Sequence, residues 1–168
     1  MLNKIFEPVI IRWEIAIAVT GLLGFGYYLQ YVEGLEPCPL CITQRFFLFL
    51  CGALGLIAAL HRPSLAAARI YGIAGVLVAA AGSFFSGRQL YLQSLPEEQV
   101  PACGPSLDFI LETFPLSEAL TILLRGDGNC AEVSWTFLGL SIPGWTLVAF
   151  VGLATGWLLQ ARREGATP

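Results

Sequence analysis

Four apolar stretches decide what this chain can fold into. They run approximately over 13–32, 43–60, 65–85 and 144–160. The hydrocarbon core of a bilayer is about 30 Å thick and is crossed by about 20 helical residues, so each stretch reads as a spanning helix. The second is the shortest, but Arg45 near its start can sit at the interface and lengthen it. None of the four shows the period-2 alternation of a strand. Composition agrees: 12% of the 168 residues are charged, where a soluble domain carries about a quarter. The expected fold is an all-α integral membrane protein, a four-transmembrane-helix bundle forming one domain over 1–168. The first stretch is too long for the core of a signal peptide, and no small-x-small cleavage site follows it. It reads as an uncleaved first helix.

Charge sets the expected orientation. Lys4, Arg12, Arg62, Arg69, Arg162 and Arg163 fall at one end of the bundle. The other end carries Glu33, Glu36, Glu97, Glu98, Asp108, Glu112, Glu118, Asp127 and Glu132, against Arg45, Arg88 and Arg125. The positive-inside rule then puts both termini and the 62–69 loop in the cytoplasm, with loops 33–42 and 93–143 outside. The net charge of −3 says less than this distribution, and no nucleic-acid partner is expected.

Small residues mark the helix faces: Gly72, Gly75, Ala79 and Gly82 on the third helix, Gly52, Gly55 and Ala59 on the second, and a GxxxG at Gly152 and Gly156 on the fourth. Both close helix pairing and ordinary membrane-helix glycines fit these patterns. In the long loop, Leu107, Ile110, Leu111 and Phe114 recur at helical spacing opposite Asp108, Glu112 and Thr113. That predicts a short amphipathic helix lying in the interface and ended by Pro115. Leu116, Leu120, Leu123 and Leu124 predict another. Gly126-Asp127-Gly128-Asn129 reads as a flexible turn before Cys130. Trp135, Phe137 and Trp145 read as interface aromatics.

Of five cysteines, Cys38, Cys41, Cys103 and Cys130 fall in the outer loops and Cys51 within a helix. An even count in a compartment that sustains disulfides predicts two pairs, Cys38–Cys41 and Cys103–Cys130. For Cys103–Cys130, a structural staple across a long loop and a redox role both stand. A bridge as short as Cys38–Cys41 stabilises little, and Cys-x-x-Cys is a spacing that depresses a thiol pKa. Zinc binding fits poorly, because Cys103 and Cys130 are not a second short pair, and no metal site is expected. Cys51 reads as a small buried hydrophobe. His61, the one histidine, falls at the opposite end beside Arg62 and reads as an ordinary loop residue.

Local chemistry favours thiol exchange at Cys38-Pro39-Leu40-Cys41. Cys38 can be the N-cap and Pro39 the first helical residue, where its missing N–H costs nothing. Cys41 then sits in the first turn, where the helix dipole favours a thiolate. Arg45 lies one turn further on the same face. It can favour that thiolate and donate to a ligand carbonyl, or it can be a snorkelling headgroup anchor. The functional role is preferred, because charge at membrane level is expensive.

These residues resemble the DsbB family of disulfide bond formation proteins. The resemblance rests on four helices, on Pro37-Cys38-x-x-Cys41-x-x-x-Arg45 opening the second, and on Cys103 and Cys130 in the outer loop. It also rests on Gly128-Asn129-Cys130-Ala131-Glu132, Trp135-Thr136-Phe137-Leu138-Gly139-Leu140 and Pro143-Gly144-Trp145 before the last helix. It implies a quinone-dependent thiol oxidase of the bacterial inner membrane that reoxidises a periplasmic, thioredoxin-fold DsbA. The electrons go to membrane ubiquinone, or to menaquinone. Carried over by position, a DsbA thiolate attacks the Cys103–Cys130 bond at Cys103. Freed Cys130 exchanges with Cys38, and Cys41 leaves as the thiolate that donates to quinone beside Arg45.

One position departs from the pattern. Some members carry a histidine soon after a Gln-Leu pair like Gln89-Leu90, and here Tyr91, Leu92, Gln93 and Ser94 follow. Arg45 must then do more, or another group substitutes; Ile142 and Trp145 are candidate apolar walls. Two rivals stand beside this reading. A vitamin K epoxide reductase-like protein shares four helices and two cysteine pairs, but there the membrane Cys-x-x-Cys follows the loop pair. The other is a non-enzymatic scaffold whose disulfides only staple its loops.

Overall fold

The computed structural model describes residues 8–104 and 107–164. Three long helices come first: α1 (Pro8–Tyr31), α2 (Pro39–His61) and α3 (Leu65–Gln93). The long loop follows with two short helices, α4 (Leu107–Thr113) and α5 (Leu116–Arg125). Two two-residue strands, β1 (Thr136–Phe137) and β2 (Leu140–Ser141), lead into the last long helix, α6 (Ile142–Glu164). All four long helices are apolar and long enough to cross a membrane. At 1.5 Å per residue the shortest covers about 35 Å, against a core of about 30 Å. The protein is a multi-pass membrane protein built as a four-helix bundle.

The helices pack in a ring: α1 on α2, α2 on α3, α3 on α6 and α6 back on α1, with the α3–α6 seam the most extensive. Ile15, Val19, Leu48, Ala79, Phe150 and Trp157 fill the middle, with Cys51 fully buried among them, as its sequence context indicated. Ile17, Ile70, Leu77 and Phe84 point outward, as lipid-facing side chains of a bundle do.

The glycine stripe of α3 is a packing device. A methyl group at Gly75 would overlap the Trp157 indole, one at Gly82 the Phe150 ring, and one at Gly72 the Ala161 side chain. On α2, Gly52 lies against Val19 and Gly55 against Ile15. The GxxxG of α6 does not work this way. Nothing lies within 4 Å of a methyl at Gly152, and Gly156 makes only ordinary contact with α1.

Several sequence expectations shift. The loop expected over 62–69 shrinks to 62–64, where Arg62 takes a left-handed backbone at φ 45°. Arg12, counted with the flanking charges, lies inside α1, is buried, and donates through Nη1 to the Ala58 carbonyl at 3.4 Å. Lys4 and the Arg163 side chain lie outside the described residues, as do the side chains of Leu107, Asp108 and Leu111 in α4. In that helix Ile110 is buried and Phe109 exposed. The second predicted loop helix is α5, whose Leu116, Leu120 and Leu124 are exposed in a stripe while Ala119 is buried.

The largest shift concerns α3. It runs eight residues past the expected end at 85, because the apolar run stops but the helical face does not. Gly72, Gly75, Ala79, Gly82, Ser86 and Gln89 are all buried along one side. The β1–β2 hairpin was not anticipated either. Its two-residue turn puts Leu138 at φ 51° and Gly139 at φ 81°, the primed geometry that matches strand twist.

Candidate active site

Cys38 caps α2. Its backbone is extended (φ −70°, ψ 165°), Pro39 opens the helix, and the Cys38 side chain makes no capping bond to the first turn. Such a helix start presents N–H groups without partners inside the helix and the positive end of the dipole. The sulfur of Cys41, in the first turn, lies 3.2 Å from that of Cys38, and the two are unbridged.

A third thiol joins them from the far loop. Cys130 sits in a short 3-10 turn, Gly128–Ala131, fully buried against Cys38, Leu40 and Leu92. Its thiol lies lower than an ordinary one. The main cause is the hydrogen bond from Cys38, opposed by burial and aided by backbone amides of Asp127 and Leu40. Cys38 is pushed strongly upward, first by its bond to Cys130 and then by its bond to Cys41. Cys38 therefore holds its proton between two sulfurs, and Cys130 is the more thiolate-like partner facing it.

Cys103 stands apart and is exposed. The expected Cys103–Cys130 bridge is not formed, and Cys130 turns to Cys38 instead. The segment bearing Cys103 is nonetheless tied to the turn before Cys130. The Gly128 amide donates to the Ala102 carbonyl at 3.1 Å, and Asn129 Nδ2 to the Gly104 carbonyl at 3.1 Å. Asp127 Oδ1 caps the turn by accepting from the Asn129 amide at 3.0 Å. A methyl at Gly128 would overlap the Pro101 carbonyl. The 126–129 stretch, read from sequence as a flexible turn, is a packed and capped clamp.

Sequence reasoning missed Gln89 and Gln44. The eight extra residues of α3 carry Gln89 over the start of α2. There its Nε2 donates to Cys38 Sγ at 3.3 Å and to Cys41 Sγ at 3.4 Å. Its Oε1 accepts from Gln44 Nε2 at 2.6 Å, and both glutamines are buried. The signal was available: Gln89 continues the three-and-four spacing of the Gly72–Gly82 stripe. The group beside the sulfurs is Gln89 itself.

Arg45 is half-buried and committed to α1. It donates to Gln30 Oε1 through Nη1 and to the Gly26 carbonyl through Nη2 at 2.9 Å, and its guanidinium lies 5.1 Å from the Tyr27 ring centre. These are protein partners, not the solvent of a snorkelling side chain. Arg45, Cys38, Cys41 and Gln89 line one cavity of about 570 Å³, with Ile142 and Trp145 among its walls. A chain of rings from α1, the loop and α6 lines it as well: Phe25 meets Trp135 edge-on, Trp135 stacks on Phe137, and Phe137 reaches Trp145. The Trp145 indole N–H holds the hairpin by donating to the Phe137 carbonyl at 2.9 Å. A mostly apolar chamber of this size, with a few convergent polar groups, is the usual form of a small-molecule site.

Comparison with known proteins agrees. The family profile described as Disulfide bond formation protein DsbB matches residues 10–160. The chain belongs to the DsbB family. It is 56% identical over 141 residues to Disulfide bond formation protein B of Hahella chejuensis, covering 84% of this chain and 86% of that protein. The protein of the same name from Saccharophagus degradans is 54% identical over 145 residues, covering 86% and 87%. That of Nitrosococcus oceani is 51% identical over 144 residues, covering 86% and 85%. Membership in the DsbB family makes the chain a disulfide-forming oxidoreductase and sets aside both the vitamin K epoxide reductase-like and the scaffold readings.

Proposed function

We propose that this protein is a thiol oxidase of the bacterial inner membrane, with its loop end in the periplasm, that reoxidises a DsbA-like thioredoxin-fold protein and passes the electrons to membrane quinone. The observation that carries this reading is the convergence of Cys130 and Cys41 on Cys38 at the edge of an apolar chamber. DsbB is itself the type example of a protein that keeps a periplasm oxidising through quinone.

Cys103 is the exposed station and receives the partner's thiolate. The bond to Cys130 breaks, and the electron pair stays on Cys130. The environment of Cys130 favours that thiolate, and Cys38 lies against it, so attack on Cys38 forms Cys38–Cys130 and releases Cys41. The partner's second thiolate resolves the Cys103 mixed disulfide, and the partner leaves oxidised. The chamber suits a flat, apolar, carbonyl-bearing ring: its walls are hydrophobic, and Arg45 supplies cationic N–H groups beside Cys41. The freed Cys103 thiolate then attacks Cys130, which re-forms Cys103–Cys130 and releases Cys38; re-formation of Cys38–Cys41 gives up two electrons and two protons, which a quinone held there would take up as quinol. Ubiquinone and menaquinone share this chemistry.

The reading is tested by mixing the purified protein with reduced DsbA and ubiquinone and following quinone absorbance, then repeating with menaquinone. Steady quinone reduction is expected, and Cys41→Ser should abolish it. Full turnover in Cys41→Ser, or none in the unmodified protein with either quinone, would end the proposal.

A further inference from the structure

Gln89 is polar, 3% exposed, and set between two reactive sulfurs. A buried primary amide is costly unless its groups are bonded, and here the bonds have a direction. Gln44 Nε2 donates to Oε1 at 2.6 Å, which seats the oxygen against α2. The nitrogen is thereby turned to the sulfurs, 3.3 Å from Cys38 and 3.4 Å from Cys41. Cys41 Sγ also lies 3.7 Å from Gln89 Oε1, within reach of donating to it. The amide can therefore serve Cys41 in both states: it accepts from the thiol and donates to the thiolate.

We propose that Gln89 is a catalytic hydrogen-bond donor that stabilises the Cys41 thiolate as it leaves, and that Gln44 is the positioning residue that aims it. The inference rests on the relay proposed above for the identity of the leaving sulfur. In that step the Cys130 thiolate attacks Cys38, the Cys38–Cys130 bond forms, the Cys38–Cys41 bond breaks, and the electron pair goes to Cys41. Negative charge then develops where the Gln89 N–H groups already point. A preorganised donor in a site shielded from water stabilises such charge without reorganising at the moment of reaction. An amide also stays neutral at every working pH, so it neither adds a proton to the exchange nor competes for one.

The test uses the reduced full-length protein in lipid nanodiscs. Cys38→Ala makes Cys41 the single thiol of its pair. Iodoacetamide labelling of Cys41 is followed by mass spectrometry from about pH 6 to about pH 10, a range that spans thiol ionisation. The titratable and charged groups nearby are Glu36, Arg45 and Glu132, which line the same chamber, and Cys130; all are constant across the comparison. Gln89→Met should slow labelling about tenfold at neutral pH, with the deficit closing at the alkaline end, where the thiol ionises unaided. Gln44→Met should give a smaller loss with the same pH dependence.

An unchanged profile in Gln89→Met overturns the proposal, and so does equal slowing at every pH, which reports access and not ionisation. Cys51, fully buried, must stay unlabelled as the fold control. Should Gln89→Met expose it, the isosteric Gln89→Glu takes over with the same expected loss. Exposure of Cys51 in both variants makes Gln89 a structural residue and also overturns the proposal. Labelling needs neither thiol partner nor quinone. A protein inactive in the quinone assay can still show the Gln89 effect, and an active one can lack it.

Discussion

Cys38 touches two other thiols, and its proton makes their titrations oppose one another. Cys130 lies low chiefly because Cys38 donates to it. In the reduced protein its contribution to stability is complete above the unfolded thiol value of about 8.5 and is lost as pH falls through the folded value. Cys38 lies high, held first by Cys130 and then by Cys41. Its contribution is complete below about 8.5 and is lost as pH rises. The reduced protein should therefore unfold at its highest temperature between these limbs, near the ordinary thiol value. Thermal melts under reductant across the alkaline range check this, and Cys38→Ala should flatten the optimum. The cap at Cys38 and the first-turn place of Cys41 were legible in sequence because Pro39 fixes a helix start. The Cys130 contact was not, since it depends on how a distant turn packs. Arg45 was half legible: its spacing put it beside Cys41, but its ties to Gln30 and Gly26 belong to another helix.

At the level of elements, the α3–α6 seam carries the bundle. Gly75 and Gly82 are small because Trp157 and Phe150 occupy the space where their side chains would be. Gly75→Ala and Gly82→Ala should each destabilise the protein by about 1–3 kcal/mol, the usual range for overpacking. Gly152→Ala, with open space around it, should stay within about 0.5 kcal/mol. Unfolding in mixed micelles separates the two outcomes. Sequence left both small-residue patterns open between close pairing and ordinary membrane-helix glycines; the structure gives close packing to the α3 stripe and not to the GxxxG on α6. A motif gives the face of one helix, and the large rings that fill it are chosen by the partner. The end of α3 was misplaced for a related reason. Hydrophobicity falls after residue 85, while the buried face of the helix continues through Ser86 to Gln89.

For the whole molecule, the loop matters as much as the bundle. Four spans, and two loops at one end of the bundle, were legible from the apolar stretches. The folding of the loop back over α2 was not, because it rests on single contacts. Thr43 Oγ1 lies 3.0 Å from the Leu123 carbonyl, Arg88 Nε donates to the Arg125 carbonyl at 2.8 Å, and Ser141 Oγ donates to Gln93 at 2.8 Å. Under the proposed relay, the clamp between 101–104 and 126–129 keeps Cys103 close while Cys130 is engaged elsewhere. Removing its Asn129–Gly104 bond with Asn129→Ala should slow re-formation of the Cys103–Cys130 disulfide about fivefold, the worth of one ordinary hydrogen bond. Acid-quenched trapping of free thiols measures that rate.

Phe25, Trp135, Phe137 and Trp145 line the chamber with the loop residues Glu36, Asn129 and Ser134, and the rest of its lining comes mainly from the long helices. Under the proposed function the occupant of this chamber is a lipid-soluble quinone drawn from the membrane. Its effective concentration is then a mole fraction of the membrane and not a molarity of the solution. Doubling the lipid around a fixed number of molecules halves the occupant's supply, although the volume of water has not changed.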